Sequence, residues 1–78
     1  MPREQTIRIL AEMVANVIVV EVAVDDVIAA GDTVCLMESM KMEIPVLSEE
    51  GGVVSAIKVA PGDVVQEGDI LVELTAPR

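Results

Sequence analysis

The sequence predicts an all-β domain, a flattened barrel or sandwich of two small antiparallel sheets related by an internal pseudo-two-fold axis. Three observations carry this. Of the 78 residues, 15 are Val and 7 are Ile, β-branched side chains that are stiff at χ1 and fit a pleated surface better than a helix. The chain also repeats itself. Shifted by 37 positions, residues 6–37 align without a gap on residues 43–74, with ten identical pairs. Finally, polar residues and glycines cut the apolar runs into short pieces, and the one helix-like stretch, residues 28–30, is stopped at once by Gly31.

The elements follow in order. Strands are expected at residues 6–10, 17–24, 33–37, 43–47, 53–59 and 70–74, with short ones around residues 27–28 and 64–65. The best-kept block of the repeat, Asp-Val-(three residues)-Gly-Asp, occurs at residues 26–32 and again at 63–69, and reads as a turn-rich connection. Two like halves around one core make a single domain over residues 1–78, with the copies joined by Glu38-Ser39-Met40-Lys41-Met42. A connection of five residues between two strands is a hairpin tip. By symmetry it should lie at the end of the domain opposite the chain termini.

Composition excludes several classes of function. There is no Phe, Trp, Tyr or His, which removes stacking platforms for single-stranded nucleic acid, triads that need an imidazole, and His-bearing zinc sites. Five basic residues against fourteen acidic ones give a net charge of −9, which opposes binding to nucleic acid or an anionic membrane and favours a monomer. No run approaches the ~20 apolar residues of a membrane span. The apolar residues 13–20 follow Glu12 and a start of mixed charge, so a signal peptide is not expected. The single cysteine, Cys35, has no intramolecular partner, and a cytoplasmic location is the expectation. Asp25, Asp26, Asp32, Asp63 and Asp69 match no EF-hand spacing, so no metal site is expected. No catalytic constellation is present either.

What remains is the hairpin. The chain has two lysines. Lys58 aligns with Glu21 in the repeat and reads as a solvated strand face. Lys41 has no counterpart and stands between Met40 and Met42, thioethers where a loop tip ordinarily carries Gly, Asn or Ser. Apolar residues at an exposed tip suggest a surface read by a partner. Alternatively, both methionines tuck into the core and Lys41 is a plain solvated charge.

Glu38-Ser39-Met40-Lys41-Met42, set between two copies of a β repeat, resembles the Glu-Ala-Met-Lys-Met motif of the biotinyl domains of biotin-dependent carboxylases. Pro45, Gly51-Gly52-Val53-Val54, Gly62-Asp63-Val64 and Gly68-Asp69 look like the second half of that family, and the likeness covers about residues 6–75. No insertion corresponds to the protruding thumb of some bacterial carriers, so the chain is similar to the thumbless type of biotin carboxyl carrier protein. The resemblance implies the barrel-sandwich fold of biotinyl and lipoyl domains, with covalent biotin as the cofactor on Lys41. It implies three partners: a biotin protein ligase that acylates Lys41, a biotin carboxylase, and a carboxyltransferase, probed in turn by a swinging arm that shuttles an activated carboxyl group to an acceptor such as an acyl-CoA, as in fatty acid biosynthesis. Met40 and Met42 would be recognition contacts, with Glu38 and Ser39 shaping or marking the turn. The chain itself would be a non-catalytic carrier subunit. Ser39 stands where the family has Ala, and Glu12, Ala15 and Asp25 where it often has Pro, Gly and Gly, which puts the turn at Ala15 in question. Two alternatives stay open: a lipoyl carrier on the same fold, which would favour a more polar flank than Met-Lys-Met, and an unmodified protein-interaction module.

Overall fold

The computed structural model describes residues 4–77. Eight strands run in chain order: β1 (Glu4–Leu10), β2 (Ala15–Val20), β3 (Val27–Ile28), β4 (Thr33–Ser39), β5 (Met42–Leu47), β6 (Gly52–Ile57), β7 (Val64–Val65) and β8 (Ile70–Pro77). They form two four-stranded antiparallel sheets, β1-β8-β6-β3 and β5-β4-β2-β7. Adding 37 to a residue number carries β1 onto β5, β2 onto β6, β3 onto β7 and β4 onto β8, and so exchanges the two sheets. The pseudo-two-fold symmetry is thus written into the strand order.

The symmetry extends to individual bonds. Asp26 Oδ2 accepts from the Ala23 N–H at 2.9 Å, and Asp63 Oδ2 from the Ala60 N–H at 2.9 Å. Asp32 and Asp69 accept in the same way from the N–H groups of Ala29 and Gln66, at 2.8 and 2.9 Å. The four aspartates of the repeated block are therefore turn residues whose carboxylates satisfy backbone donors, which is why they recur at a fixed spacing. Asp25 adopts φ 79° and its counterpart Gly62 φ 95°: the left-handed turn that Gly makes in one half is made by Asp in the other, the least costly alternative to Gly. Ala15, by contrast, is a buried residue at the start of β2 and does not adopt a positive φ.

β2 and β6 are shorter than the sequence predicts, ending at Val20 and Ile57 rather than near residues 24 and 59. The chain leaves each sheet there to enter the Asp-rich turn. Glu21 and Lys58 consequently lie just past a strand, both exposed, with their N–H groups bonded to the Val34 and Leu71 carbonyls at 2.8 and 2.9 Å.

The core is built from inward residues of both sheets: Val17, Val34, Cys35 and Met37 from one, Val54, Leu71, Val72 and Leu74 from the other, with Ile28 and Val65 closing the ends. Strict alternation would hide only one of Val34 and Cys35. Both are buried because the register slips between Thr33 and Cys35, so that Val34 is an extra residue opposite β5. β8 shows the matching slip between its partners of Ile9 and Leu10, which buries both Leu71 and Val72. Such bulges bend and twist a strand, and here they wrap each sheet over the other. Each fully buried Val or Leu contributes roughly 1.5–3 kcal/mol.

β8 and β1 end side by side, Pro77 opposite Glu4. Near that end Thr75 pairs with Val53, and Val53 with Val27. Gly51 lies against the Ile28–Ala30 backbone, and Gly31 donates to the Ser48 carbonyl at 2.7 Å, which brings the Thr33–Leu47 end of the second sheet to the same place. The β4–β5 connection is therefore at the far end of the molecule from the strand ends that lead to the termini.

Candidate functional site

The β4–β5 connection is tighter than a five-residue tip. Ser39 and Met42 are themselves a cross-strand pair, as are Glu38 and Glu43, so only Met40 and Lys41 turn the chain. Their φ angles are 54° and 66°. Two successive left-handed residues make the hairpin turn whose twist matches the flanking strands, and Asn-Gly is the usual choice for it. A side chain in that conformation costs roughly 1 kcal/mol per residue. Met40 and Lys41 hold it because strands pair on both sides, and strain of this kind gathers at functional positions.

The geometry decides between the two readings of the methionines. Met40 is 89 % exposed and Met42 61 % exposed, whereas Met37, three residues earlier, is 2 % exposed and part of the core. The flanking thioethers stand in solvent on either side of Lys41, which is exposed and makes no ion pair among the described residues. A primary amine in this setting is free to be acylated: its removal from the charge balance breaks no contact, and the turn holds it clear of the sheet.

The other predicted residues are placed nearby in different ways. The Ser39 hydroxyl donates to the Val14 carbonyl at 3.1 Å, tying the hairpin to the β1–β2 loop 25 residues away. Glu38 is exposed and has Glu43 on one side and Asn16 on the other. A pair of like charges directly across two strands is mildly destabilising. Cys35 lies in the core, and burial pushes its thiol up, with a smaller contribution in the same direction from Glu21. Both effects suppress the reactive thiolate. Among the described residues no group of acidic, His or Cys side chains is arranged to hold a metal.

The fold adds residues that the sequence does not single out. Val14, Ala15, Asn16 and Val64 line a shallow depression together with Glu38, Ser39, Met40 and Lys41. Val14 and Val64 are 61 % and 66 % exposed. No local pattern marks them, because β2 pairs with β4 on one side and with β7 on the other, and only that pairing brings three distant segments beside Lys41.

Comparison with known proteins places this arrangement. The profile described as "Biotin-requiring enzyme" matches residues 8–74. The chain is 52 % identical over 61 residues to the biotinylated protein TB7.3 homolog of Mycobacterium leprae, covering 78 % of this chain and 86 % of that one. It is 44 % identical over 64 residues to the biotin/lipoyl attachment protein of Bacillus subtilis, covering 82 % and 88 %. The human mitochondrial propionyl-CoA carboxylase alpha chain is 38 % identical over 72 residues, or 91 % of this chain, which spans only 10 % of that protein. Among solved structures, the urea carboxylase of Kluyveromyces lactis superimposes with a TM-score of 0.84 at 30 % identity, over 90 % of this chain and 6 % of the enzyme.

Proposed function

The chain belongs to the biotin/lipoyl family of biotin-requiring enzymes, and from that premise we propose that Lys41 is the residue that carries the biotin, as an amide of its ε-amine. Domains of this kind are carriers and contain no catalytic machinery of their own; they serve a biotin carboxylase and a carboxyltransferase. Bound biotin supplies a ureido nitrogen that takes up and releases a carboxyl group. The single observation that carries the assignment is the position of Lys41: second residue of a strained two-residue turn, between Met40 and Met42, which are exposed where the core offers room only to Met37.

What the chain's own residues do follows from that position. The turn presents Lys41 to a biotin protein ligase as part of a folded surface, and the two thioethers give the ligase an apolar, adaptable contact. The paired strands β4 and β5 hold the attachment point still while the lysine side chain and the biotin tail sweep a reach on the order of 10–15 Å. Tethering replaces a dilute cofactor by a high local concentration. Small relatives of similar length support a carrier that acts as a separate subunit, the free thiol of Cys35 supports a cytoplasmic location, and the likeness to an acyl-CoA carboxylase chain supports an acyl-CoA as the acceptor class.

The test is intact and peptide mass spectrometry after co-production with a biotin ligase and biotin. The expected result is one biotinyl group, confined to the Lys41 peptide. No gain, with a known biotinyl domain labelled in parallel, overturns the assignment. A lipoyl ligase with lipoate, run beside it, tests the other cofactor of the fold.

A further inference from the structure

The depression beside Lys41 has a composition that the attachment role alone does not require. Two of its walls are valines, Val14 and Val64, exposed by 61 % and 66 %. β-branched aliphatics left in water at the end of an acidic domain are costly to solvate and have no packing role in the core. Beside them stand one amide and one carboxylate, Asn16 and Glu38, which are direct cross-strand neighbours. Among the described residues neither side chain makes a hydrogen bond or an ion pair. A mixed depression, with two valine walls and an adjacent acceptor and donor, complements one class of ligand: an aliphatic chain ending in a cyclic urea, whose N–H groups donate to a carboxylate and whose carbonyl accepts from an amide.

We infer that this depression is a resting site for the biotinyl arm of the same molecule, with the aliphatic tail between Val14 and Val64 and the ureido ring against Asn16 and Glu38. This rests on Lys41 being the biotinylated residue. Length decides whether such docking is possible. Glu38 lies one residue before the turn that carries Lys41, since its neighbour Ser39 pairs with Met42, so the two are separated by at most about 10 Å, the limit set by ~3.3 Å per extended residue. An arm of about 10–15 Å covers that distance with length to spare and reaches the pair in a bent conformation. Ser39 fixes one wall of the trough, since its hydroxyl holds the Val14 carbonyl at 3.1 Å. Docking of an intramolecular group needs little affinity, because its effective concentration is in the millimolar range. The contacts are few and the site is open, so the arm exchanges rapidly between docked and extended states, and the docked state shields the aliphatic tail from water between encounters.

The experiment uses the full chain, biotinylated by its ligase and verified by mass. Methyl and amide NMR of the biotinylated and unmodified proteins should show nuclear Overhauser contacts from biotin protons to the Val14 and Val64 methyls. It should also show shift changes at the Asn16 side-chain amide. In the double variant Asn16→Ala, Val64→Ser, whose sites are exposed and outside the core, the contact to Val14 should fall by half or more. Capture of the arm by streptavidin should become about threefold faster in that variant. Contacts confined to residues 39–42, with equal capture rates in the two proteins, would overturn the resting site while leaving the attachment site intact. A chain that gains no biotin overturns both, and the mass measurement separates the two failures.

Discussion

At the scale of single residues, Lys41 and its neighbours are set by conflicting demands. A two-residue hairpin turn with both φ angles positive wants Asn-Gly, yet the chain has Met-Lys there. Relieving the strain should therefore separate stability from recognition: Met40→Asn is expected to stabilise the fold by about 0.5–1 kcal/mol while lowering the ligase kcat/KM, read by denaturant unfolding and by biotinylation kinetics on one preparation. Loss of stability would show that Met40 packs against something. Lys41→Arg should abolish biotinylation and leave the thermal midpoint within about 2 °C, because an exposed side chain with no ion pair among the described residues contributes little; biotin appearing on Lys58 in that variant would move the site. Cys35 makes the opposite kind of prediction. Burial raises its thiol above the ordinary value, so native protein should resist alkylation at pH 8 and react promptly once unfolded. The same shift has a sign for stability. The unfolded chain loses the thiol proton first, so this contribution is intact below the thiol's ordinary range and declines as pH rises through it, which a series of urea titrations across alkaline pH would detect.

At the scale of elements, the 37-residue repeat was enough to place most strands, because the polar block at residues 26–32 and 63–69 marks the turns in both copies and the turns bound the strands. Three things were not legible. β2 and β6 end sooner than the sequence suggests, since Val22, Val24 and Val59 look like strand residues but belong to stretches that leave the sheet for the Asp turn. The bulges at Val34 and Leu71 carry no local mark: a slip of register is decided by the partner strand. And the residues of the depression, Val14, Asn16 and Val64, sit on segments far apart in sequence that only the β2–β4 and β2–β7 pairings unite. The lysine proposed as the attachment point stands out in the sequence because it lies between the two copies of the repeat, and the fold places it on the β4–β5 turn. Symmetry also yields a prediction that neither half gives alone. Gly62 has φ 95° with open space around it, and Asp25 makes the equivalent turn at φ 79°. Gly62→Ala should cost about 1–2 kcal/mol from conformation alone, whereas Gly62→Asp should cost clearly less, because the other half of the molecule already tolerates it. Equal losses in thermal or denaturant unfolding would mean that the two turns are not equivalent.

At the scale of the whole molecule, the two-fold axis does more than economise on sequence. It maps the β4–β5 turn onto the place where β8 and β1 end side by side, so the turn that carries Lys41 and the strand ends at which anything further could be joined lie at opposite ends of the domain. A carrier has to satisfy two requirements at once: it must reach several partners with one lysine, and it must do so whatever it is attached to. Putting the lysine at one end of the double sheet and the outer ends of β1 and β8 at the other meets both. The solved carboxylase that superimposes on this chain is many times its length, so the same architecture works inside a large protein. The arrangement predicts insensitivity to fusion. A folded domain joined through a flexible linker ahead of β1, or after β8, should change the ligase kcat/KM at Lys41 by less than about twofold, since the added mass is held away from the Met40–Lys41 turn. The same domain inserted between Val14 and Ala15, beside the hairpin, should reduce it by tenfold or more while the fold, checked by circular dichroism, is retained. Strong inhibition by the terminal fusions would show that the ligase reads the sheets along their length, and that the turn is only the last part of a much larger recognised surface.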